Sequence, residues 1–190
     1  GPLLWTLKDR ISQILSKGEQ GDPGWSKVYF KDNKRKLWNH QKETVQDMIN
    51  NRKAGNKGNF IWSIVGMGKT LSVLKYLQYL KENNKLSKYI IYTLPQSAMK
   101  SIIEEIKYFD VPINVIIPLK NIKKHTSKYP KNIVSQDCTP VANTINLIEH
   151  DHLRRCTSVL LEYASRSFFI VDEVHKTLND TLRTSISLEL

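Results

Sequence analysis

Two short stretches of the sequence contain residue types that could bind and split a nucleoside triphosphate. The first, residues 63–70, reads Ser-Ile-Val-Gly-Met-Gly-Lys-Thr and completes a short apolar run. Glycines in such a loop let main-chain N–H groups approach phosphate oxygens, and a helix that follows it adds the positive end of its dipole. The second stretch, residues 168–176, is an apolar run that leads into Asp172 and Glu173. Such a carboxylate pair could hold a metal ion and orient a water molecule.

The first stretch departs at one position from the phosphate-loop pattern Gly-x-x-x-x-Gly-Lys-Ser/Thr. Ser63 stands where the pattern has its first glycine, whereas Gly68, Lys69 and Thr70 match it. A small residue still clears the tight turn, so Lys69 would reach the β- and γ-phosphates of ATP and the Thr70 hydroxyl would ligate Mg²⁺. The alternative is a solvated glycine turn. We predict nucleotide contacts from the whole loop: Ser63, Ile64, Val65, Gly66, Met67, Gly68, Lys69 and Thr70.

The carboxylate pair follows the most strand-like run of the chain, residues 167–171. Open α/β sheets bind their ligands beyond the carboxyl ends of their strands. We therefore predict that Asp172 holds Mg²⁺ through water and that Glu173 orients and polarises the attacking water. The alternative is an acidic pair that merely ends a strand and caps a helix. The presence of both stretches in one chain favours the nucleotide site.

The elements that must position these residues alternate along the chain. Their apolar spacing predicts helices at residues 3–17, 39–52, 69–82, 96–109 and 152–165. Runs of β-favouring residues predict strands at residues 60–65, 89–94, 113–117, 144–148 and 167–171, with a short one at 133–134. Strands that alternate with helices, and that are apolar throughout, indicate an α/β fold with a parallel sheet covered on both faces.

The length of 190 residues fits one hydrophobic core. The net charge of +11 favours a polyanionic partner, with nucleic acid ahead of the alternative of a lysine surface that serves solubility. A basic cluster either follows a nucleic-acid backbone or is a solvated loop: Lys120, Lys123, Lys124, Lys128 and Lys131, with His125 and Tyr129 interleaved. No apolar run approaches the roughly 20 residues of a bilayer span, so no membrane partner is expected.

The two cysteines, Cys138 and Cys156, lack metal-type spacing, and we expect neither a zinc site nor a disulfide. This favours a reducing, intracellular compartment such as cytoplasm or nucleus. His150 and His152 flank Asp151 on a predicted turn without further ligands, so no metal site is expected there. Trp5, Trp25 and Trp38 are predicted to be core or interface anchors rather than base-stacking surfaces, and Trp62, in the strand before the phosphate loop, is predicted to be a core residue.

The tetrapeptide Asp172-Glu173-Val174-His175 resembles the Asp-Glu-x-His box of superfamily 2 helicases and translocases. Residues 63–70 are similar to the first motif of that family, in which a small residue other than glycine is usual at the leading position. The resemblance implies a first RecA-like domain that uses ATP and Mg²⁺, with His175 linking the nucleotide site to a second domain. The stretch Leu-Trp-Asn-His-Gln at 37–41 is similar to the family's opening motif, which makes Gln41 the candidate for adenine recognition.

The family resemblance also has implications for nucleic acid and for activity. Residues 92–106 are similar to a motif that follows the second strand, with Ser97 and Lys100 as candidate phosphate contacts, and residues 146–155 stand where family members contact the tracking strand. The most similar subgroups are the Swi/Snf-like DNA translocases and the helicase-like ATPases of large DNA viruses. Both subgroups favour DNA over RNA as the partner. The second subgroup implies a viral protein, which could be located in the virion.

The resemblance predicts two regions, a helical N-terminal extension with a linker at residues 1–36 and a RecA-like domain, incomplete at its C-terminus, at 37–190. A second RecA-like domain would supply an arginine finger, so we expect little or no turnover from this chain alone and self-association through an unpaired sheet edge. Two alternatives stay open. One is another phosphate-loop NTPase, such as a kinase or an AAA-type ATPase, and the other is a non-catalytic binding or assembly module with the same fold.

Overall fold

A computed structural model gives the structure of residues 24–28, 46, 60–64, 69–118, 128–135 and 137–173. Six strands form one sheet, in the order β1-β6-β2-β5-β3-β4. Each of the five pairings within this part of the chain is parallel. The strands are β1 (Phe60–Ile64), β2 (Tyr89–Leu94), β3 (Ile113–Ile116), β4 (Val134–Ser135), β5 (Ile145–Glu149) and β6 (Ser167–Glu173).

Three α-helices whose bounds lie within the described residues cover the sheet: α1 (Lys69–Glu82), α2 (Gln96–Lys107) and α3 (His150–Glu162). In α2 the buried side chains recur at helical spacing, at Met99, Ile102, Ile103 and Ile106, and the opposite side is polar. Short 3₁₀ helices lie at Trp25–Lys27, Lys131–Ile133 and Ala164–Arg166. The observed architecture confirms the predicted α/β fold with a parallel sheet.

The strands bury both faces, because successive side chains point to opposite sides of a sheet. On one face, Ile90 and Tyr92 of β2 pack in a large cluster with side chains of α1 and α2. On the other face, Ile91 packs in a second cluster with Cys156 and Leu160 of α3. Helices α1 and α2 therefore cover one face, and α3 covers the other.

Asn146 of β5 is a polar residue that is fully buried within the sheet. Its amide nitrogen donates to the Ile90 carbonyl oxygen at 2.9 Å, and its amide oxygen accepts from Asn114 at 2.9 Å and from the Val141 N–H at 2.8 Å. Because a buried polar group costs little only when its hydrogen bonds are made, these partners fix β5 between β2 and β3.

Trp25 belongs to the region predicted as the N-terminal extension, and it is buried in the cluster that α1 and α2 cover. Its indole N–H donates to the Ser87 carbonyl oxygen at 2.6 Å, just before β2 begins. The prediction that Trp25 is a core anchor is confirmed. Trp5 and Trp38 lie outside the described residues, and only the backbone of Trp62 is described, within β1.

The predicted bounds of α1 and β2 agree with the structure, whereas other elements differ at their ends. Helix α2 ends two residues earlier than predicted, and β6 continues through Glu173. Strand β5 is shifted by one residue, and β4 begins at Val134 rather than at residue 133. The predicted helices at 3–17 and 39–52 lie outside the described residues, apart from Gln46, which is helical.

Two predictions were wrong. His150 and Asp151 do not lie on a turn, because α3 begins at His150 directly after β5, two residues before the predicted start. Cys138 and Cys156 are joined by a disulfide, although no disulfide was expected. The fold brings Cys138, in the segment before β5, against α3, and the separation of 18 residues in sequence does not reveal this approach.

None of the helices in the described part of the chain has the length and apolar character that crossing a bilayer requires.

Candidate nucleotide site

The structure places the two predicted nucleotide stretches at the same edge of the sheet. Strand β1 carries the first two residues of the predicted phosphate loop and lies directly beside β6, with Ser63 paired to Asp172 and Ile64 paired to Glu173. Helix α1 begins at Lys69, five positions after Ile64. Because the strands are parallel, their carboxyl ends meet at one edge, and the start of α1 follows from that edge.

Several residues of the predicted nucleotide site lie outside the part of the chain that the structure describes. Loop residues Val65, Gly66, Met67 and Gly68 lie outside the described residues, as do Gln41 and His175. For Ser63, Ile64, Lys69 and Glu173 the structure gives the backbone position within its strand or helix. The proximity of the two stretches therefore depends on the backbone register of β1 and β6 and on the side chains of Thr70 and Asp172.

Tyr92 of β2 interacts with Thr70 and experiences the charge of Asp172, and it was not predicted as a site residue. Its side chain shares a hydrogen bond with the side chain of Thr70. Burial of the ring and, to a smaller extent, the negative charge of Asp172 raise the pKa of the Tyr92 phenol, which the hydrogen bond with Thr70 partly opposes. The phenol is thus neutral at physiological pH and lies near both predicted Mg²⁺ ligands. An apolar strand that carries a tyrosine near its carboxyl end was the available signal.

The chemistry of Thr70 and Asp172 suits Mg²⁺. A hydroxyl and a carboxylate are hard oxygen donors, and Mg²⁺ in nucleotide sites commonly takes one or two protein ligands beside phosphate oxygens and water. Asp172 is 9% exposed and Thr70 is partly buried, so neither side chain is fully solvated. These residues fit a magnesium ion that is shared with a nucleotide.

The main-chain carbonyl of Asp172 contacts His150, the first residue of α3. His150 Nε2 lies 2.9 Å from the Asp172 carbonyl oxygen, and Nδ1 lies 2.7 Å from Thr93 Oγ1. Burial lowers the pKa of His150 to about 4, and the hydrogen bond with the Asp172 main chain partly opposes this effect. The imidazole is therefore neutral at physiological pH. Nothing in the local sequence around residue 150 indicates a contact with a residue 22 positions away.

A second buried polar group lies at the carboxyl end of β5. The Tyr129 hydroxyl donates to Glu149 Oε2 at 2.8 Å, and His152 Nδ1 lies 4.0 Å from the same oxygen. Burial, followed by the hydrogen bond and the charge of Glu149, raises the pKa of Tyr129. Tyr129 is 8% exposed, so it is not available as a stacking surface within the basic cluster. Its neighbours Lys128 and Lys131 are exposed, while Lys120, Lys123, Lys124 and His125 lie outside the described residues.

The predicted nucleic-acid phosphate contacts Ser97 and Lys100 follow β2, at the same edge of the sheet as Ser63 and Asp172. Pro95 follows β2 directly and is the N-cap of α2. Ser97 and Lys100, in the first turns of that helix, are exposed to solvent. The structure thus leaves both side chains accessible to a ligand at the carboxyl edge.

Comparisons with known proteins agree with this arrangement. Residues 34–188 match the family model described as "Type III restriction enzyme, res subunit", which spans both nucleotide stretches. A comparison with curated proteins found no match.

Proposed function

The chain belongs to the family of the type III restriction enzyme res subunit, a helicase-like ATPase domain of superfamily 2, and from this premise we propose that it binds Mg·ATP at the carboxyl edge of its sheet and hydrolyses it in response to nucleic acid. The observation that supports the proposal most directly is the register of β1 and β6, which pairs Ser63 with Asp172 and Ile64 with Glu173. This register brings the phosphate-loop strand and the carboxylate pair side by side.

Each predicted residue has a physical task in this proposal. The Lys69 ammonium would hold the β- and γ-phosphates, and the loop from Ser63 to Gly68 would cradle them with main-chain N–H groups. Thr70 and Asp172 would hold Mg²⁺, which neutralises phosphate charge when bound. Glu173 would orient the attacking water. Gln41 would bind the adenine, and His175 would link the site to a second domain.

We further propose that a second RecA-like domain completes the active site and that ATP turnover moves the protein along DNA. An arginine finger from such a domain can contribute about 10³ to 10⁵ in rate. The isolated chain is therefore expected to bind Mg·ATP weakly, if at all, and to turn it over slowly. The net charge of +11 supports a polyanionic partner, and exposed Lys100 lies at the same sheet edge as the nucleotide site.

The test is a comparison of charge-removing variants in the protein that contains both domains. Lys69→Ala and Glu173→Gln should each lower DNA-stimulated phosphate release at least about 100-fold, because each removes a group that acts on the transition state. Lys81→Ala and Glu162→Gln are the matched controls. Lys81 lies in the last turn of α1, roughly 18 Å along the helix from Lys69, and Glu162 is exposed at the end of α3.

The results separate the proposal from its competitors. Retained DNA binding and cellular function after both Lys69→Ala and Glu173→Gln would indicate a non-catalytic module instead. ATP hydrolysis that depends on Lys69 but does not respond to any nucleic acid would indicate a different type of phosphate-loop NTPase. Loss in the two site variants, with wild-type rates in the two controls, is the result that the proposal requires.

A further inference from the structure

His150 is a buried polar residue that the proposed reaction does not use. It is 5% exposed and follows β5 directly, as the first residue of α3. Its ring makes one contact with β2 through Thr93 and one with β6 through Asp172. Both partners are also buried, with Thr93 2% and Asp172 9% exposed.

The partners determine which ring nitrogen carries the proton. A carbonyl oxygen can only accept a hydrogen bond, so His150 Nε2 must donate to Asp172 across the 2.9 Å contact. In a neutral imidazole the other nitrogen is then an acceptor. The Thr93 hydroxyl therefore donates to Nδ1 at 2.7 Å, which fixes both the tautomer and the ring orientation.

These contacts join three neighbouring strands at one level of the sheet. Strand β2 lies between β5 and β6, and Thr93 pairs with Ile148 on one side and with Val171 on the other. Val171 directly precedes Asp172, and Ile148 lies two residues before His150. The ring thus reaches over the end of β2 to the main chain of β6.

Asp172 consequently has one partner on each face of the sheet, a hydrogen bond with His150 on one face and an electrostatic interaction with Tyr92 on the other. Tyr92, which interacts with the Asp172 charge, packs with α1 and α2. Thr93 is the next residue of β2 and points to the opposite face, on which α3 packs. His150 therefore holds the main chain of Asp172 from the α3 side, while the carboxylate acts on the side of Thr70 and Tyr92.

We propose that His150 is a positioning residue for ATP hydrolysis, holding the Asp172 main chain through Nε2 so that the Asp172 carboxylate and the following Glu173 are presented to the metal and the water. This inference rests on the proposed function. His150 touches neither nucleotide nor metal in this role. Its effect should therefore appear in turnover and in Mg²⁺ activation rather than in nucleotide affinity.

Two amide substitutions separate the contact with Asp172 from the presence of a polar side chain. In His150→Gln the amide nitrogen is three bonds from Cβ, as Nε2 is, and it can still donate to the Asp172 carbonyl. In His150→Asn the amide nitrogen is two bonds from Cβ, as Nδ1 is, so the side chain can reach Thr93 but not Asp172. The two variants are closely matched in polarity.

The measurement is DNA-stimulated ATP hydrolysis by the protein that contains both domains. We expect His150→Asn to lower kcat about 10-fold and to raise the Mg²⁺ concentration for half-activation several-fold, with KM for ATP within about twofold of wild type. His150→Gln should retain kcat within about threefold. Equal losses in the two variants, or wild-type values in both, would overturn the inference.

Two further measurements keep the outcomes distinct. Lys69→Ala is measured in parallel: if it retains activity, the proposed function is wrong, whereas if it is inactive and both His150 variants match wild type, only the inference about His150 is wrong. Imidazole ¹H–¹⁵N spectra of the unsubstituted 190-residue chain report the tautomer without any variant. A proton on Nε2 is expected, and one on Nδ1 would contradict the proposal.

Discussion

At the scale of single residues, the hydroxyl of Tyr92 is a polar group near the candidate site that the sequence did not predict. It shares a hydrogen bond with Thr70 and lies near the charge of Asp172, yet the ring is 2% exposed in the core. The chain places a tyrosine where an apolar side chain would fill the same space. The hydroxyl therefore adds interactions at the sheet edge that the packing of the ring does not require.

Removing the Tyr92 hydroxyl should lower the free energy of unfolding by a small amount. Tyr92→Phe keeps the ring and breaks the hydrogen bond with Thr70, so we expect the free energy of unfolding to fall by about 1 kcal/mol. The measurement is a urea denaturation curve with an unchanged slope. Tyr79→Phe is the control, because Tyr79 lies partly buried on α1 and its ring contact with Tyr76 survives the change. A loss of the same size in the control would contradict the assignment.

At the scale of elements, Tyr129 attaches the segment at residues 128–135 to the carboxyl end of β5. Its hydroxyl satisfies one oxygen of Glu149, a carboxylate that is 2% exposed. Tyr129→Phe would leave that oxygen without this donor in a buried site, so we expect a loss of about 1 to 3 kcal/mol in unfolding free energy. Lys128→Ala, at the exposed neighbouring position, should change it by less than about 0.5 kcal/mol. Equal losses of unfolding free energy in the two variants would show that the hydrogen bond between Tyr129 and Glu149 does not stabilise the fold.

The disulfide is a second attachment between elements, joining the segment before β5 to α3. Cross-linking two residues 18 positions apart restricts the unfolded chain and should contribute about 3 kcal/mol when the bond is formed. Cys138→Ser should therefore lower the stability of oxidised protein by about this amount and have little effect in dithiothreitol. Cys138 is the better site for the change, because Cys156 is fully buried.

Peptide mapping of the unreduced, alkylated protein tests the disulfide itself. Recovery of both cysteines as alkylated thiols from oxidised protein would contradict the bond. The expectation of a reducing compartment depended on the absence of a disulfide, so the bond between Cys138 and Cys156 removes that support.

The elements differ in how far the sequence could predict them, for physical reasons. Helix α1 and strand β2 were predicted with their full bounds, because apolar spacing and burial determine both. The start of α3 was missed because Glu149, its N-cap, makes no side-chain capping hydrogen bond, so the usual Ser, Thr, Asp or Asn signal is absent. The contacts of His150 and Tyr92, like the disulfide, join residues that only the folded sheet brings together.

At the scale of the whole molecule, the net charge of +11 and the position of individual lysines make different predictions about nucleic acid. A field that depends only on total charge would be weakened equally by the loss of any lysine. A bound phosphate backbone instead depends on the lysines that contact it, and each such contact contributes about 0.9 to the slope of log K against log salt concentration. One helix of this fold can distinguish the two cases.

Lys100 and Lys107 are both exposed on α2, seven residues apart. Helix α2 starts at the carboxyl edge of the sheet, where the proposed site lies, and ends roughly 10 Å further along with Lys107. Lys100→Ala and Lys107→Ala each change the net charge from +11 to +10. If DNA crosses the carboxyl edge, Lys100→Ala should weaken duplex binding several-fold and reduce the salt slope by about one, while Lys107→Ala changes both much less. Fluorescence anisotropy over a salt series measures both quantities, and identical slopes in the two variants would show that DNA does not contact the start of α2.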